Sequence, residues 1–411
     1  MVSEIVYVTG IDMSSAFDTI RRTTLLDILQ TFLEEDEVRI IQYLLSNTIL
    51  EIKMSNVTTD NFESNIGAPQ GDALSGTLFT IYFEYALRKI RSELNKHKIL
   101  DEHSYCKQRE NLLTDEIIYA DDADFLTDNK DKNNRINRIV KDFLLEDNLK
   151  INEDKTEHTV LVRKNVERNN NKKSVVERRK EKEEAEPWRS VVKLGSKLGD
   201  SEDIIYRKEL SNTAMNRINT IWIKKDKIKE DLRIKMYKSI IKPVMLYNSS
   251  TWGITKEEEK NLNSFHRKQL RRILNVKYPI IMKNKEVYSK TGEKPISLEI
   301  VANRWRMFGH ALRMSTKSPA YKAMYNYFTI TDSMKFRGRR RETLPQTLHN
   351  DIQRATSSDD NFYNKFKVNS LRKLSDLEQL KVLAMNRNEW KKISKVIYKT
   401  AEAETNNSEM N

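Results

Sequence analysis

Two periodicities of apolar and polar residues alternate along the first 162 residues of the chain. Short apolar or β-branched runs are typical of strands, and stretches with apolar residues every three or four positions are typical of amphipathic helices. The strand-like runs are Ile5–Val8, Ile117–Ile118, Ala123–Leu126 and Thr159–Val162. The helical stretches run from Ser14 to Leu33, from Ala73 to Asn95 and from Ile136 to Leu144. This pattern predicts an α/β or α+β architecture in which a small sheet is backed by helices.

The remainder of the chain has a different pattern. The stretch from Arg163 to Glu186 has almost no apolar content, and its dense charge predicts a flexible, solvated insertion. Strand-like residues return at Val191–Gly195, and from Tyr206 onward the periodicity is helical. We predict two or more helices between 218 and 241 that end at Pro243, because proline interrupts helical hydrogen bonding. Further helices are predicted at Glu257–Leu274, Ser297–Met314, Leu344–Arg354 and Leu377–Tyr398.

Composition and charge narrow the function. The 411 residues include 73 Lys and Arg against 60 Asp and Glu, giving a net charge of +13, which favours a polyanionic partner such as nucleic acid. An acidic membrane surface is the competing explanation, but the chain has no basic amphipathic helix with an aromatic face. It also lacks a long apolar run and a signal-like start, so we expect an intracellular protein, nuclear or cytoplasmic. The single cysteine, Cys106, excludes an internal disulfide and any multi-cysteine zinc site.

Candidate chemistry begins with two adjacent carboxylates, Asp121 and Asp122, at the turn between two strand-like runs. Such a pair is stable when it is exposed or when a divalent cation neutralises it, and an exposed acidic turn is the ordinary explanation for the pair alone. Asp12 directly follows the first strand-like run, where a helix cap is the ordinary explanation. If that strand lies beside the hairpin, Asp12 faces Asp121, and together they suit two Mg²⁺ ions about 3.5–4 Å apart, with Mn²⁺ as an alternative.

Two further motifs surround these carboxylates in the sequence. The glycine-flanked loop Gly67–Ser75 opens onto a helix, and its Gln70 offers both a donor and an acceptor to an incoming nucleotide. Lys155 is suited to contact a triphosphate or to protonate the leaving pyrophosphate. A Pro-Gly turn and a solvated lysine are the ordinary alternatives. The joint occurrence of the four motifs in this order favours a metal-dependent nucleotidyl transferase.

These motifs resemble those of the reverse transcriptases of non-LTR retrotransposons. Asp12 with Ala16-Phe17 resembles the first palm motif of that family, Pro69-Gln70-Gly71 the second, Tyr119-Ala120-Asp121-Asp122 the third and Lys155-Thr156 the fourth. Lys193-Leu194-Gly195 resembles the primer-grip turn. The resemblance implies that Asp12, Asp121 and Asp122 hold the metal ions, that Phe17 tests the ribose 2′ position, and that Gln70 and Gly71 line the nucleotide pocket. It also implies an RNA template, a DNA primer and deoxynucleoside triphosphates as partners, with no membrane.

The second half of the chain resembles the thumb and post-thumb regions of the same proteins more loosely. Lys268, Arg271 and Arg272 fall on one helix face and suit the backbone of a nucleic acid duplex. Arg304, Trp305 and His310 are open to the same role, although a buried Trp305 and a capping His310 are equally expected. Arg337, Arg339 and Arg340 belong to a basic cluster that suits phosphate contact, nuclear import or a solvated loop.

The resemblance also implies an α+β fold, in which a palm with a small antiparallel sheet backed by helices precedes a mostly helical thumb and C-terminal region. It gives domain boundaries and two competing functions as well. The predicted regions are a palm at 1–162, a charged flexible insertion at 163–188, a primer-grip-like turn at 189–200, a helical thumb and post-thumb region at 201–315 and a basic helical region at 316–411. Met1 lies only a strand's length before Asp12, so we expect a 5′-truncated copy without fingers or an endonuclease. The chain is thus either an RNA-directed DNA polymerase of a mobile element or an inactive remnant that binds nucleic acid; a maturase or a telomerase-like polymerase fits less well.

The motifs differ from the family pattern at three positions. Asp72 stands where serine is usual, Gly76 where proline is usual and Asn248 where glycine is usual. Asp72 adds negative charge near a pocket that is expected to receive a triphosphate.

Overall fold

The chain divides into two units, Met1–Pro187 and Trp188–Asn411. The computed structural model describes residues 5–46, 48–54, 57–69, 71–96, 116–127, 129–162, 186–219, 228–332, 342–359 and 361–409. Helices predominate, and the sheets are small and mostly antiparallel, which confirms the predicted α+β class. Of the helices in these ranges, none combines the length and apolarity that crossing a membrane requires. The predicted domain boundaries at 163, 189, 201 and 316 stay predictions.

A five-stranded sheet organises the first unit. Its central strand β1 (Ile5–Ile11) pairs antiparallel with β10 (Glu157–Val162) on one side and with β8 (Asp122–Thr127) on the other. The strand β7 (Glu116–Tyr119) adds to β8, and β11 (Glu186–Pro187) pairs parallel with β10. The predicted neighbourhood of the first strand and the acidic hairpin is therefore confirmed.

The other elements in the described part of the first unit are short strands and helices. The strands are β2 (Met13–Ser14), β3 (Ile49–Leu50), β4 (Lys53–Met54), β5 (Val57–Thr58), β6 (Phe62–Glu63) and β9 (Lys150–Ile151). The helices are α1 (Arg22–Leu29), α2 (Glu35–Leu45), α3 (Ser75–Lys96) and α4 (Lys130–Glu146). One apolar core joins the sheet to the helices, with Phe125 of β8 packed in the same cluster as Tyr82 of α3 and Val140 of α4.

The prediction of a helix from Ser14 to Leu33 is wrong at both ends, because helix α1 spans only Arg22–Leu29. Ser14 pairs with Lys150 in the β2–β9 ladder, and Ser15 has a φ of 51°, which no α-helix tolerates. The segment that follows is a turn, and helix α1 begins only at Arg22. Apolar spacing alone did not reveal this, because the turn also buries Ala16 and Ile20 in the core.

The second unit is built mainly from helices. Its strands are β12 (Val192–Lys193) and β13 (Ser196–Lys197). Its helices are α5 (Asp200–Arg217), α6 (Glu230–Met236), α7 (Lys242–Leu246), α8 (Lys256–Ile273), α9 (Asn284–Thr291), α10 (Ile296–Arg313), α11 (Pro319–Asp332), α12 (Leu344–Ser358), α13 (Phe362–Phe366), α14 (Leu374–Met385) and α15 (Arg387–Glu409).

Two predicted helix boundaries in this unit are wrong. Pro243 does not end a helix: a π-helical segment at Tyr237–Ile241 leads directly into α7, where the proline occupies the first turn. Proline is tolerated in the first turn of an α-helix, where its missing N–H would have no partner within the helix. The single helix predicted at Leu377–Tyr398 is two helices, α14 and α15, separated at Asn386.

Arg304 and Trp305 belong to the interior of the second unit. Arg304 Nε and Trp305 Nε1 both donate to Asp351 Oδ2, at 3.2 and 2.9 Å, and all three residues are buried. The Trp305 ring also packs against Trp390, with ring centroids 5.5 Å apart. Of the two roles open to these residues, the structural one is therefore correct, whereas His310 is exposed.

His266 is a buried histidine in the same unit with no hydrogen-bond partner for either ring nitrogen among the described residues. Its ring stacks on Tyr237 and lies near Tyr288. Burial, reinforced by Lys242 and Arg267, lowers the pKa of His266 from 6.5 to about 3. Glu293 Oε2 lies 3.7 Å from Nε2, but this carboxylate already pairs with Lys242 at 2.9 Å, so it does not hold a proton on the ring.

This histidine makes the second unit sensitive to acid. The unfolded chain takes up the proton near pH 6.5 and the folded chain only near pH 3, so stability is lost as the pH falls through that window. We expect His266→Phe to lose less stability between pH 7.5 and 5 than the unsubstituted chain. Tryptophan fluorescence during urea unfolding measures the stability of the second unit, because all five tryptophans lie at residue 188 or beyond. The exposed His310→Gln is the matched control, and equal acid sensitivity of His266→Phe and the parent would refute the assignment.

Candidate active site

The acidic pair lies on a tight hairpin. Strands β7 and β8 end their pairing at Tyr119 and Asp122, which leaves Ala120 and Asp121 as the two-residue turn. Ala120 has a φ of 54°, a conformation that glycine normally supplies and that costs another residue about 1–2 kcal/mol. Asp121 is half-buried and Asp122 is exposed. A strained turn held by two strands fixes the direction of the carboxylates it carries.

Asp12 lies at the same end of the sheet. The ladder between β1 and β8 ends at Ile11 opposite Ala123, so the next position in that register puts Asp12 opposite Asp122. The Asp12 carbonyl accepts a hydrogen bond from the Asn152 N–H at 2.8 Å. These backbone constraints hold Asp12 beside the hairpin turn.

The Asp12 side chain has one unusual atom. Its Oδ2 is buried and has no hydrogen-bond partner among the described residues. Lys155 Nζ lies 3.8 Å from this atom, and the lysine side chain is 70% exposed. A buried carboxylate oxygen without a hydrogen-bond donor is costly, and a bound cation would offset that cost.

The donor set fits a divalent ion, although it is small. The described part of the chain contains no group of three or more His, Cys, Asp or Glu side chains arranged to hold a metal. Mg²⁺ usually takes only one or two protein carboxylates and completes its shell with water and substrate phosphates. The unpartnered oxygen of Asp12, beside the turn that carries Asp121 and Asp122, meets that requirement.

Lys155 is held beside Asp12 by its backbone and not by its side chain. Thr156 N and Lys155 N both donate to Asn152 O, at 2.9 and 3.2 Å, which forms a tight turn after β9. The same Asn152 is bonded to the Asp12 carbonyl. Because the lysine side chain is 70% exposed and, among the described residues, makes only this 3.8 Å ion pair with Asp12, little is lost if its ammonium exchanges Asp12 for an anionic ligand.

The glycine-flanked loop packs directly on the turn after Asp12. Gly67 N donates to Ile20 O at 2.8 Å, and Ala68 N donates to Phe17 O at 2.9 Å. Gly67 has a φ of 79°, and a Cβ there would lie 2.9 Å from the backbone of Asp18. Only glycine permits this approach.

Arg22 fixes the same loop and was not predicted. Its guanidinium donates to Gly67 O at 2.8 Å and to Ser64 O at 2.6 Å, and also to the carbonyls of Leu45 and Ile66. Partial burial lowers the pKa of Arg22 from its usual value. No local pattern distinguishes this residue from the other 72 basic residues, since its partners are carbonyls distant in sequence.

The predicted nucleotide-pocket residues are only partly described. Phe17 is half-buried and stacks on Phe79, with ring centroids 4.8 Å apart. Gly71 has a φ of 95° and open space where a Cβ would project. Gln70 lies outside the described residues.

The predicted primer-grip residues form a second strained turn, in the second unit. Leu194 and Gly195 connect β12 to β13 with φ values of 49° and 75°. Tyr247 donates to Leu194 O at 2.8 Å, and Arg207 donates to Gly195 O and to Ser196 Oγ. Tyr247 and Arg207 thus fix the backbone of the turn, and Leu194 stays 46% exposed.

The predicted nucleic-acid contacts belong to three separate parts of the sequence. Lys193 is half-buried at the end of β12, next to this turn. Lys268, Arg271 and Arg272 line one cleft of about 450 Å³. Arg337, Arg339 and Arg340 lie outside the described residues.

The close contact at Gly67 yields a direct test of this geometry. We expect Gly67→Ala to destabilise the first unit by about 1–3 kcal/mol, because it combines an unfavourable φ with a backbone clash. The matched control is Gly76→Ala in α3, where a Cβ meets open space and helix propensity favours alanine. Hydrogen exchange at the amides of residues 67 and 68 should accelerate only in the first variant. Equal exchange in the two variants would show that the close approach does not exist.

The first half of the chain is similar to a known protein family. Residues 3–194, a little under half of the chain, match the family model described as reverse transcriptase (RNA-dependent DNA polymerase). No curated protein matches the chain.

Among solved structures, the chain is weakly similar to telomerases. Telomerase from Candida tropicalis in complex with the TWJ fragment of telomeric RNA has 13% identity and a TM-score of 0.36, and the match covers 78% of this chain and 49% of that one. Telomerase from Candida albicans in complex with the TWJ fragment of telomeric RNA has 9% identity and a TM-score of 0.32, with 80% and 50% covered. Apo telomerase from Candida tropicalis truncated from the C-terminal domain has 18% identity and a TM-score of 0.31, with 39% and 31% covered. The chain spans half or less of the length of these proteins. Likeness at this level carries no statement about ligands. The family match supports a reverse transcriptase domain over residues 3–194.

Proposed function

We propose that the first unit is the catalytic part of an RNA-directed DNA polymerase. The observation that carries this proposal is the buried Oδ2 of Asp12, which accepts no hydrogen bond from the described residues, at the sheet end that also carries Asp121 and Asp122. The glycine-flanked loop packs against the turn that follows Asp12, and Lys155 stands 3.8 Å from the carboxylate. The family match over residues 3–194 supports the same activity.

In this proposal, each group near Asp12 has a separate task. Asp12 and Asp121 hold Mg²⁺, or Mn²⁺ in its place, and Asp122 completes the acidic set. Two such ions, when bound, activate the primer hydroxyl and stabilise the leaving pyrophosphate. The resemblance to non-LTR retrotransposon enzymes supports a mobile element as the source of the chain.

The neighbouring residues receive the nucleotide and the primer. Lys155 leaves Asp12 and turns to the triphosphate, where its ammonium neutralises phosphate charge or protonates the pyrophosphate. Phe17 limits the space beside the ribose, and Gln70 with Gly71 lines the pocket. The turn at Leu194 and Gly195 supports the primer end, and the RNA template pairs with that primer.

A second candidate function is a nucleic-acid-binding protein without catalysis. It is favoured by the basic cleft of the second unit, which nucleic-acid binding needs and catalysis does not. It keeps the basic cleft of the second unit and the net charge of +13. The two functions differ in chemistry and share nucleic-acid binding, so they can be separated by measuring both.

Primer extension on an RNA template with Mg²⁺ or Mn²⁺ tests the catalytic proposal. We expect Asp12→Asn and Asp121→Asn to reduce extension by at least 10²-fold, since each removes a charge that holds the metal and its substrate phosphates. The matched control is Asp142→Asn, which neutralises an exposed carboxylate on α4 and should extend like the parent.

Duplex binding measured on the same samples makes the outcome decisive. Both site variants should still bind a primer–template duplex. Binding by the unsubstituted chain without any extension would reject the polymerase and leave the second candidate.

Salt dependence tests the nucleic-acid contacts that both candidates share. If Lys268, Arg271 and Arg272 contact phosphates, the logarithm of the duplex association constant falls steeply with the logarithm of salt, by about 0.9 per phosphate neutralised. Lys268→Ala should reduce that slope by about 0.9, whereas the exposed Lys290→Ala should leave it unchanged. A salt-independent affinity of the parent chain would contradict a backbone-binding role for the second unit.

A further inference from the structure

The loop between α8 and α9 presents large apolar side chains to solvent. Tyr278 is 94% exposed, Ile281 is 89% exposed and Ile280 is 64% exposed, with Pro279 between them. Single exposed apolar residues are ordinary on a protein surface, but four in succession are not. We call residues 278–281 the apolar tip.

The apolar tip is held at both ends. After α8, Asn275 N donates to Arg272 O at 3.1 Å and Val276 N donates to Arg271 O at 2.9 Å. Arg271 then reaches the far end of the loop, where it donates to Met282 O at 3.1 Å and to Asn284 Oδ1 at 2.8 Å. Val276 and Met282 pack against the apolar core of α5, α6, α8 and α9. The loop therefore displays its tip from a fixed base.

A basic cleft adjoins this tip. The cleft of about 450 Å³ is lined by Asn219, Ser264, Lys268, Arg271, Arg272, Asn275, Val276 and Lys277. Lys277, the last of them, directly precedes Tyr278. None of these described lining residues is acidic, and four carry a positive charge.

The two arginines of the cleft are fixed by neutral groups. Arg272 donates to the side-chain oxygens of Asn216 at 2.8 Å and Asn219 at 2.5 Å. Arg271 donates to the Met282 carbonyl and to the side-chain amide oxygen of Asn284. Neutral acceptors orient a guanidinium without cancelling its charge, so the cleft is pre-organised for anions.

We propose that the apolar tip and the basic cleft form one binding site for an unpaired segment of nucleic acid, with phosphates in the cleft and a base stacked on Tyr278. Charge complementarity selects a polyanion. An exposed aromatic ring gains most from a base whose face is free, and base pairing hides that face within a stack. The site extends the proposed nucleic-acid binding of the second unit and does not depend on catalysis by the first.

Oligonucleotides with and without bases separate stacking from charge. The full chain is titrated by fluorescence anisotropy with a single-stranded 12-mer, with an abasic 12-mer of the same phosphate number, and with a blunt duplex. We expect Tyr278→Ala to weaken binding of the base-bearing strand by about five-fold or more and to leave the other two affinities unchanged. Tyr278→Phe should bind like the parent, because it keeps the ring.

The controls distinguish the cleft from the tip and folding from binding. Lys277→Ala should weaken the base-bearing and abasic strands equally, since it removes a phosphate contact. Tyr363→Ala removes an exposed tyrosine on α13 and should change nothing. Tyr278 is almost fully exposed, so urea unfolding of its variants should match the parent.

Each outcome separates this site from the broader proposal. If the parent binds all three ligands and Tyr278→Ala affects none of them, the stacking site is wrong, a docking surface for a protein becomes the better explanation of the tip, and nucleic-acid binding by the chain stands. If the parent binds no nucleic acid, the broader proposal fails together with this one. Equal weakening by Tyr278→Ala on the base-bearing and abasic strands would also overturn the stacking role.

Discussion

The close backbone contact between two loops of the first unit is the constraint on which the candidate site depends. Gly67 and Ala68 donate to the carbonyls of Ile20 and Phe17, and no side chain larger than hydrogen fits at Gly67. Arg22 donates to the Gly67 carbonyl of this loop and to the carbonyls of Leu45, Ser64 and Ile66. The glycine-flanked loop is thereby fixed to the turn that begins after Asp12, which is itself fixed to the sheet. Without this contact, nothing described would hold the Gly67–Ser75 loop at a fixed position relative to the Asp12 carboxylate.

Two strained turn residues and one buried oxygen with no described hydrogen-bond donor do not stabilise the fold. Ala120 and Leu194 adopt left-handed conformations at turn tips, and the buried Asp12 Oδ2 lacks a donor among the described residues. Each feature raises the free energy of the folded chain, by roughly 1–3 kcal/mol for a strained residue. In the first unit two of them meet at one sheet end, where a bound cation would offset the cost. The surrounding strands and hydrogen bonds keep these groups in place without a ligand.

Features set by local sequence were predictable, and features set by distant contacts were not. The hairpin at Asp121 and the helices α3, α8 and α10 follow from apolar periodicity and turn chemistry, which act over a few residues. The turn before α1 was missed because a buried turn and a buried helix share the same apolar spacing. Arg22 and Asp351 were missed because their partners are far away in the chain, so an isolated arginine or aspartate reads as solvated. The positions of Asp12, Asp121 and Lys155 were predictable as motifs, whereas the orphaned Oδ2 of Asp12 required coordinates.

Metal-directed cleavage tests most directly whether Asp12 and the acidic hairpin form one divalent site. The full chain is loaded with Fe²⁺ in place of Mg²⁺ and exposed to ascorbate and peroxide, and the cut positions are mapped by mass spectrometry. We expect backbone cuts near both residue 12 and residue 121. Excess Mg²⁺ should suppress both cuts, and Asp12→Asn should abolish both. Cuts at only one of the two positions, or a pattern unchanged by Asp12→Asn, would contradict a single divalent site.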